Sequence, residues 1–458
     1  MNEPFLYRIS RFFVHIGVHG YFRKLEISGR DHIPSTGPVI FASNHPHSIT
    51  DALLLGLGAG RMLHFIAHSG LFRHGLQSWF LRASGVIPVF RPKDVTGAAD
   101  KNTMMFAACH DVLHKGGSIG IFPEGTSAEE RRVQKLKTGT VRIALSAEAA
   151  ADWKLGVTIV PVGLNFESRS RFRSRVLVRF GKPIRAVDWR DQYEDDPVSA
   201  VETMTDVLRE ALRRRVVEVE RTEFDDLLSD VNKIYKSELM SRADMDIPGE
   251  TPFKKGQTLT REFGRALDYF YERSPEVIWG LTQQMSAYTI ARRDLRLRDE
   301  LIREQEGPSM RAEMVRFLVM GGLGFIPALF GILTNGLPYK LTEWLAKTLT
   351  PDKTKIHSYQ FVVGLLMFVG WYALVLSRAY DMIGGWGTLV LGVLMPPAGL
   401  YARQYVTRMR KHRRMLRFAW LEFLLGYKVR EIRIMRLRLI RDLDAALDEY
   451  MQSLEEKS

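Results

Sequence analysis

Between residue 37 and about residue 185, short β-rich runs alternate with helix-favouring stretches, and this alternation restricts the fold more than any other feature of the chain. The runs are 38–43, 63–67, 86–90, 118–122, 157–162 and 175–180; helical stretches near 51–60, 97–115 and 138–152 separate them. Strands that alternate with helices need crossover connections. The pattern therefore predicts an α/β domain: a mostly parallel sheet flanked by helices.

At 458 residues the chain exceeds one average domain, and its second half changes character. From about 196 to 310 it is charged and helix-favouring, interrupted near Ile247-Pro248-Gly249 and Gly307-Pro308. Three uncharged windows follow at 317–339, 356–377 and 382–402, each near the roughly 20 residues that cross a bilayer as a helix. Residues 403–417 then carry seven Lys/Arg and no acid, which by positive-inside bias assigns this end to the cytoplasm. A cytoplasmic N-terminal domain then requires an even number of crossings. Gly321, Gly322, Gly324 and Pro327 interrupt the first window, so it is expected to be re-entrant or interfacial, with 356–377 and 382–402 forming a hairpin.

The expected organisation is an amphipathic interface helix (1–24), a catalytic domain (25–220), a charged helical region (221–310), membrane-embedded segments (311–402) and a basic helical cytoplasmic tail (403–458). In the first of these, Phe5, Ile9, Phe12, Phe13 and Ile16 recur at helical spacing, with Arg8, Arg11 and His15 toward another side. That pattern fits a helix lying in a membrane interface and equally one packed on the protein body. The N-terminus lacks a charged region before a clean apolar run, so no cleavable signal peptide is expected.

A net charge of +13 fits nucleic acid, an anionic membrane or a phosphorylated substrate as partner. Nucleic acid is disfavoured because the chain carries no recognised reading motif, whereas its cationic run adjoins a membrane candidate. The single cysteine, Cys109, excludes an internal disulfide and a cysteine-based zinc site, and is read as a small buried hydrophobe. His64 and His68 lack the Glu of a zinc-binding His-Glu-x-x-His helix, so no metal is expected.

Directly after the first β-rich run stands Asn44-His45-Pro46-His47-Ser48-Ile49-Thr50-Asp51. An imidazole near neutrality can take a hydroxyl proton, and a nearby carboxylate can fix its tautomer and support the charge that develops. Six helical steps turn about 240°, so His45 and Asp51 cannot share a face of one regular helix. With Pro46 between them, His45 falls in a loop and Asp51 in a first helical turn. The same residues also read as a capping box, with Ser48 as N-cap and Asp51 at N3. His47 is the lesser candidate base, placed in the cap region at the surface. Gly116-Gly117-Ser118-Ile119-Gly120 matches a hydrolase nucleophile elbow, but the elbow needs a strand before its serine and a helix after it, the reverse of the order here.

Asn44-His45-Pro46 through Asp51 resembles the first motif of the glycerolipid acyltransferases, the superfamily of glycerol-3-phosphate and lysophosphatidate acyltransferases. Gly85-Val86-Ile87-Pro88-Val89-Phe90-Arg91 resembles the second motif, Ile121-Phe122-Pro123-Glu124-Gly125-Thr126-Ser127 the third, and Val157-Thr158-Ile159-Val160-Pro161-Val162 the fourth. Gly37-Pro38-Val39-Ile40 and Leu136-Lys137-Thr138-Gly139 also match, so the resemblance spans roughly residues 25–220. It implies that His45 activates an acceptor hydroxyl for direct attack on an acyl thioester, that Asp51 orients His45, and that no covalent acyl-enzyme forms. It further implies that Arg91 holds the acceptor phosphate, that Glu124, Gly125 and Thr126 complete the acceptor site, that Lys137 is a second phosphate contact, and that Pro161 shapes a strand end nearby.

Five residues separate His45 from Asp51, where most of the superfamily has four. The five-residue spacing resembles the fungal-type glycerol-3-phosphate/dihydroxyacetone-phosphate acyltransferases. The resemblance thus implies a membrane-bound enzyme acylating glycerol 3-phosphate at sn-1, with acyl-CoA or acyl carrier protein as co-substrate and no cofactor. The alternatives are acylation of lysophosphatidate to phosphatidate, and a non-catalytic lipid-binding protein.

Overall fold

The computed structural model describes residues 5–72, 75–90, 98–127, 132–167, 173–216, 225–240, 251–303, 310–350 and 353–456. The chain divides into two compact units, one of Met1–Glu218 with Thr350–Phe361 and the other of Val219–Leu349 with Val362–Ser458.

In order, the first unit contains α1 (Phe5–Tyr21), β1 (Lys24–Ser28), β2 (Val39–Ser43), α2 (Ile49–Ala59), β3 (Leu63–His68), α3 (Gly75–Ala83), β4 (Ile87–Val89), α4 (Ala98–His114) and β5 (Ser118–Ile121). It continues with α5 (Gly139–Ala149), β6 (Thr158–Phe166), β7 (Arg175–Phe180), β8 (Ile184–Arg185), α6 (Arg190–Asp195) and α7 (Pro197–Arg213). The strands form one sheet in the order β1-β7-β6-β2-β5-β3-β4, with β8 pairing β6. The run β6-β2-β5-β3-β4 is parallel throughout, and β7 and β8 join β6 antiparallel. The expected α/β architecture is what the chain adopts.

β2 is buried along its whole length, and its period-two alternation sends side chains into two cores. Ile40 and Ala42 pack with Cys109 and Leu113 of α4, Ile143 of α5 and Met204 of α7. Val39 and Phe41 face the opposite side, against Leu54 and Leu55 of α2 and Val18 of α1. Helices therefore cover both faces, as a buried parallel sheet requires. At the N-terminal ends of the strands, Arg61 donates to the carbonyls of Pro34, Gly37 and Gly116, tying together the turns that precede β2 and β5.

Pro161 lies inside β6, opposite Ala42, and not at a strand end as expected. A proline cannot donate to a ladder, and it is tolerated here because the antiparallel partner changes around it. Residues 158–159 pair with β8 and residues 162–166 with β7, while the Pro161 carbonyl accepts from Gly181 N at 2.9 Å.

α1 combines the two roles its periodicity left open. Val14 and Val18 pack into the core beside α2, whereas Phe12, Phe13 and Ile16 are exposed, as are Arg8, Arg11 and His15.

The second unit consists of α8 (Asp225–Leu239), α9 (Pro252–Arg273), α10 (Pro275–Asp294), α11 (Asp299–Arg303), α12 (Met310–Leu349) and α13 (Lys353–Glu455). Its core joins α8, α9, α10 and α11 to the last part of α13, from Phe418 to Tyr450. At the centre of this core Arg436 donates to Asp299 and Glu238, and the Tyr288 hydroxyl donates to Asp299 at 2.6 Å. Burial, with the Asp299 carboxylate alongside, pushes the Tyr288 hydroxyl well above its ordinary pKa. The charged region that carries no chemical motif thus builds a helical core around the chain's last helical segment.

α12 and α13 each contain a stretch long and apolar enough to cross a membrane. The window 317–339, expected to turn back or lie flat, is helical from end to end within α12. α13 breaks at Gly384 (φ 66°), and a Cβ at Gly392 would stand 3.4 Å from Leu376, so the stretches on either side of Gly384 approach each other there. Pro338 leaves the Thr334 carbonyl without its helical donor, and Trp371 Nε1 supplies one at 2.8 Å. Asn335 joins the same cluster, donating to the Met395 carbonyl and accepting from the Tyr372 hydroxyl.

Candidate active site

The register of the sheet brings the first and third motifs together. Ala42 of β2 pairs with Ile121 of β5, and His45 and Glu124 each stand three residues beyond that pair, at the carboxyl ends of adjacent parallel strands. Open α/β sheets place their ligand sites at this edge. Ser118, the serine of the elbow-like sequence, opens β5 at the opposite end and is buried, which removes it as a nucleophile for this site.

Asn44 anchors the loop. Its side chain accepts from Leu164 N at 2.7 Å and donates to the Leu164 carbonyl at 3.2 Å, extending the link between β2 and β6 by one residue. Ser48 then takes φ 58°, a positive value unusual for a residue with a side chain, and this sharp turn carries the chain into α2. Asp51 in the first turn of α2 comes back to face His45.

His45 Nδ1 donates to Asp51 Oδ2 at 3.0 Å, and the backbone N–H of His47 donates to the same oxygen at 2.6 Å. The Asp51 side chain is fully buried, and that of His45 keeps 18% of its surface exposed. Both readings of the sequence are therefore partly realised. Asp51 captures a backbone N–H ahead of its helix, as a capping acid does, but Ser48 makes no side-chain cap bond, and the same carboxylate holds the imidazole. With Nδ1 donating to the carboxylate, Nε2 is the basic nitrogen, and it has no partner among the described residues.

Two aromatic contacts escape a reading by motif alone. The His45 ring stacks on Phe122, with centroids 4.0 Å apart and planes 16° from parallel; Phe65 lies behind at 6.3 Å. Phe122 belongs to the third motif, so its position at the end of β5 was the available signal. His47, expected at the surface, is buried with its ring 4.3 Å from that of Phe166, because the loop folds inward over β6.

In the third motif Glu124 is buried, Thr126 is exposed and Gly125 adopts φ 71°. Lys137 folds over this turn. Its backbone N–H donates to the Pro123 carbonyl at 2.8 Å, and its Nζ lies 2.7 Å from where a Cβ on residue 125 would stand. Glycine thus serves both the backbone conformation and the close approach of an ammonium group. The structure brings His45, Asp51, Glu124, Gly125, Thr126 and Lys137 to one edge of the sheet. Arg91 lies outside the described residues; β4, which leads to it, ends at that edge two strands from β5, and Asn102 pins its last turn through two bonds to the backbone of Phe90.

No group of three or more metal-ligating side chains occurs among the described residues, and His64 instead bonds the Gly85 carbonyl at 2.9 Å. Cys109 is fully buried, and burial pushes its thiol up to about 12, in keeping with a packing residue.

The acyltransferase family model matches residues 24–165. These residues form an acyltransferase domain of the glycerolipid superfamily. Over 102 residues the chain is 40% identical to glycerol-3-phosphate O-acyltransferase 2 of Saccharomyces cerevisiae, covering 22% of this chain and 14% of that one. It is 29% identical over 164 residues to the chloroplastic 1-acyl-sn-glycerol-3-phosphate acyltransferase LPAT1 of Arabidopsis thaliana, covering 36% and 42%. The chain therefore spans less than half the length of either relative. The crystal structure of the 1-acyl-sn-glycerophosphate acyltransferase PlsC from Thermotoga maritima aligns with a TM-score of 0.34 at 20% identity, over 46% of this chain and 77% of that one.

Proposed function

We propose that this chain is a membrane-bound O-acyltransferase that moves a fatty acyl group from acyl-CoA or acyl carrier protein to the sn-1 hydroxyl of glycerol 3-phosphate. The observation that carries the reading is the His45–Asp51 pair, 3.0 Å apart, with Nε2 unpartnered among the described residues at the edge of the sheet. Nε2 takes the acceptor hydroxyl proton as the oxygen attacks the thioester carbonyl. The tetrahedral adduct then collapses, the carbon–sulfur bond breaks, and the leaving thiolate takes the proton back from the imidazolium. Asp51, fixed by the His47 N–H, keeps the ring in the required tautomer and stabilises its cationic form. Arg91, Lys137 and Thr126 hold the acceptor phosphate, for which a guanidinium fork and a flexible ammonium are suited.

Support for sn-1 acylation comes from the five-residue His45–Asp51 spacing and from the glycerol-3-phosphate acyltransferase among the relatives. The lysophosphatidate acyltransferases favour the second reading, acylation of 1-acylglycerol 3-phosphate. A membrane position is supported by the two long apolar helices and by the exposed Phe12, Phe13 and Ile16 of α1, and the basic run 403–417 supports a cytoplasmic catalytic face. The deciding assay measures labelled acyl transfer by the purified full chain to glycerol 3-phosphate, dihydroxyacetone phosphate and lysophosphatidate in parallel. The highest kcat/KM is expected with glycerol 3-phosphate. A preference for lysophosphatidate selects the second reading, and no transfer to any acceptor leaves a lipid-binding role.

A further inference from the structure

The second unit holds a groove that no residue of the motifs above lines. It measures about 230 Å³ and lies between α12 and the part of α13 where the basic run 403–417 begins. Val319, Leu323 and Gly324 line one wall; Tyr401, Tyr405 and Arg408 line the other. Its shape is built in. The Tyr405 hydroxyl donates to the Gly321 carbonyl at 2.8 Å and closes the floor, and a side chain on Gly324 would meet Tyr401 and Tyr405 at 2.8 Å.

The groove is graded along its length. Arg408 stands seven residues beyond Tyr401, about 10 Å along the helix and inside the basic run 403–417. Arg408 is exposed and makes no ion pair among the described residues, and Gln404 offers a further amide on the same wall. The nearest carboxylate on α12, Glu313, is already held by Arg316 and His412, each at 2.8 Å. An unneutralised guanidinium above an apolar slot, at the end of a hydrophobic helix, matches a lipid phosphate with the first methylenes of its chains.

We propose that this groove is a binding site for one anionic phospholipid, with Arg408 bonding the headgroup phosphate and Val319 and Leu323 lying along an acyl chain. The site shares no residue with the catalytic edge and rests on the membrane placement proposed above. The test uses the full chain in detergent micelles doped with phosphatidylglycerol or phosphatidylcholine, with bound lipid counted by native mass spectrometry. Wild type is expected to retain one phosphatidylglycerol that neither excess phosphatidylcholine nor inorganic phosphate displaces. Arg408→Ala is expected to weaken that retention about fivefold, the effect of losing one cation beside an anionic lipid. Arg410→Ala, in the same basic run but outside the groove lining, is expected to change it less than about twofold. Equal losses in the two variants would show diffuse attraction and overturn the site, as would wild-type retention no greater for phosphatidylglycerol than for phosphatidylcholine. Membrane extraction separates the two claims: release by alkaline carbonate alone overturns the membrane placement and the site with it, whereas an integral protein without selective retention overturns only the site.

Discussion

At the scale of single residues, the site depends on one buried carboxylate with two donors. Asp51 accepts from His45 and from the His47 backbone, so replacing it with asparagine keeps its size but removes the charge that supports a protonated imidazole. Asp51→Asn is expected to lower kcat by about 10²–10⁴ while KM changes less than about threefold, read by steady-state kinetics on protein with an unaltered melting curve. The loop proline and the helix start placed residues 45 and 51 but left a capping box equally open; the resemblance of the surrounding motif is what singled out the pair. The buried state of His47 was not legible, since it depends on Phe166 of β6, more than a hundred residues away. The Phe122 stack was hidden for a similar reason: it requires the β2–β5 register, which only the sheet supplies.

At the scale of elements, the six β-rich runs all became strands: β2 and most of β6 are buried apolar runs at the middle of the sheet, whereas β3 and β4 toward one edge are mostly half-buried and were legible from their β-favouring residues. β1 and β8 escaped that reading. The first mixes Lys24 and Glu26 with its apolar residues at the sheet edge, and the second is only two residues long. α1 shows what periodicity cannot decide, since one helix carries a core face and an exposed apolar face together. A nitroxide at Phe12→Cys in the reconstituted protein is expected to collide with oxygen more than with an aqueous nickel chelate, and one at His15→Cys to show the reverse. Aqueous exposure at both positions would remove α1 from the membrane interface. Labelling is selective because Cys109 is buried and its thiol, pushed up to about 12, stays protonated at neutral pH.

At the scale of the whole molecule, the second unit bears on topology. Glu313, near the start of α12, accepts from His412 Nδ1 at 2.8 Å, so the chain that leaves one end of the unit at 313 has returned to it by 412. An even number of crossings between these residues follows for a membrane-embedded chain. Cysteines at Arg311→Cys and Arg414→Cys are expected to react with an impermeant maleimide from the same side of sealed vesicles; labelling from opposite sides would contradict the hairpin arrangement. The charge bias of the sequence led to the expectation of an even count, but the Glu313–His412 contact that bears on it was not legible, because the two lie 99 residues apart. It also left 221–310 without a role, whereas the structure packs that region around the end of α13. The central claim, that His45 is the base of an acyl transfer, is tested most directly by comparing wild type with His45→Ala in labelled acyl transfer to glycerol 3-phosphate. The account predicts a rate at least about 10³-fold lower in the variant. Equal rates would contradict it.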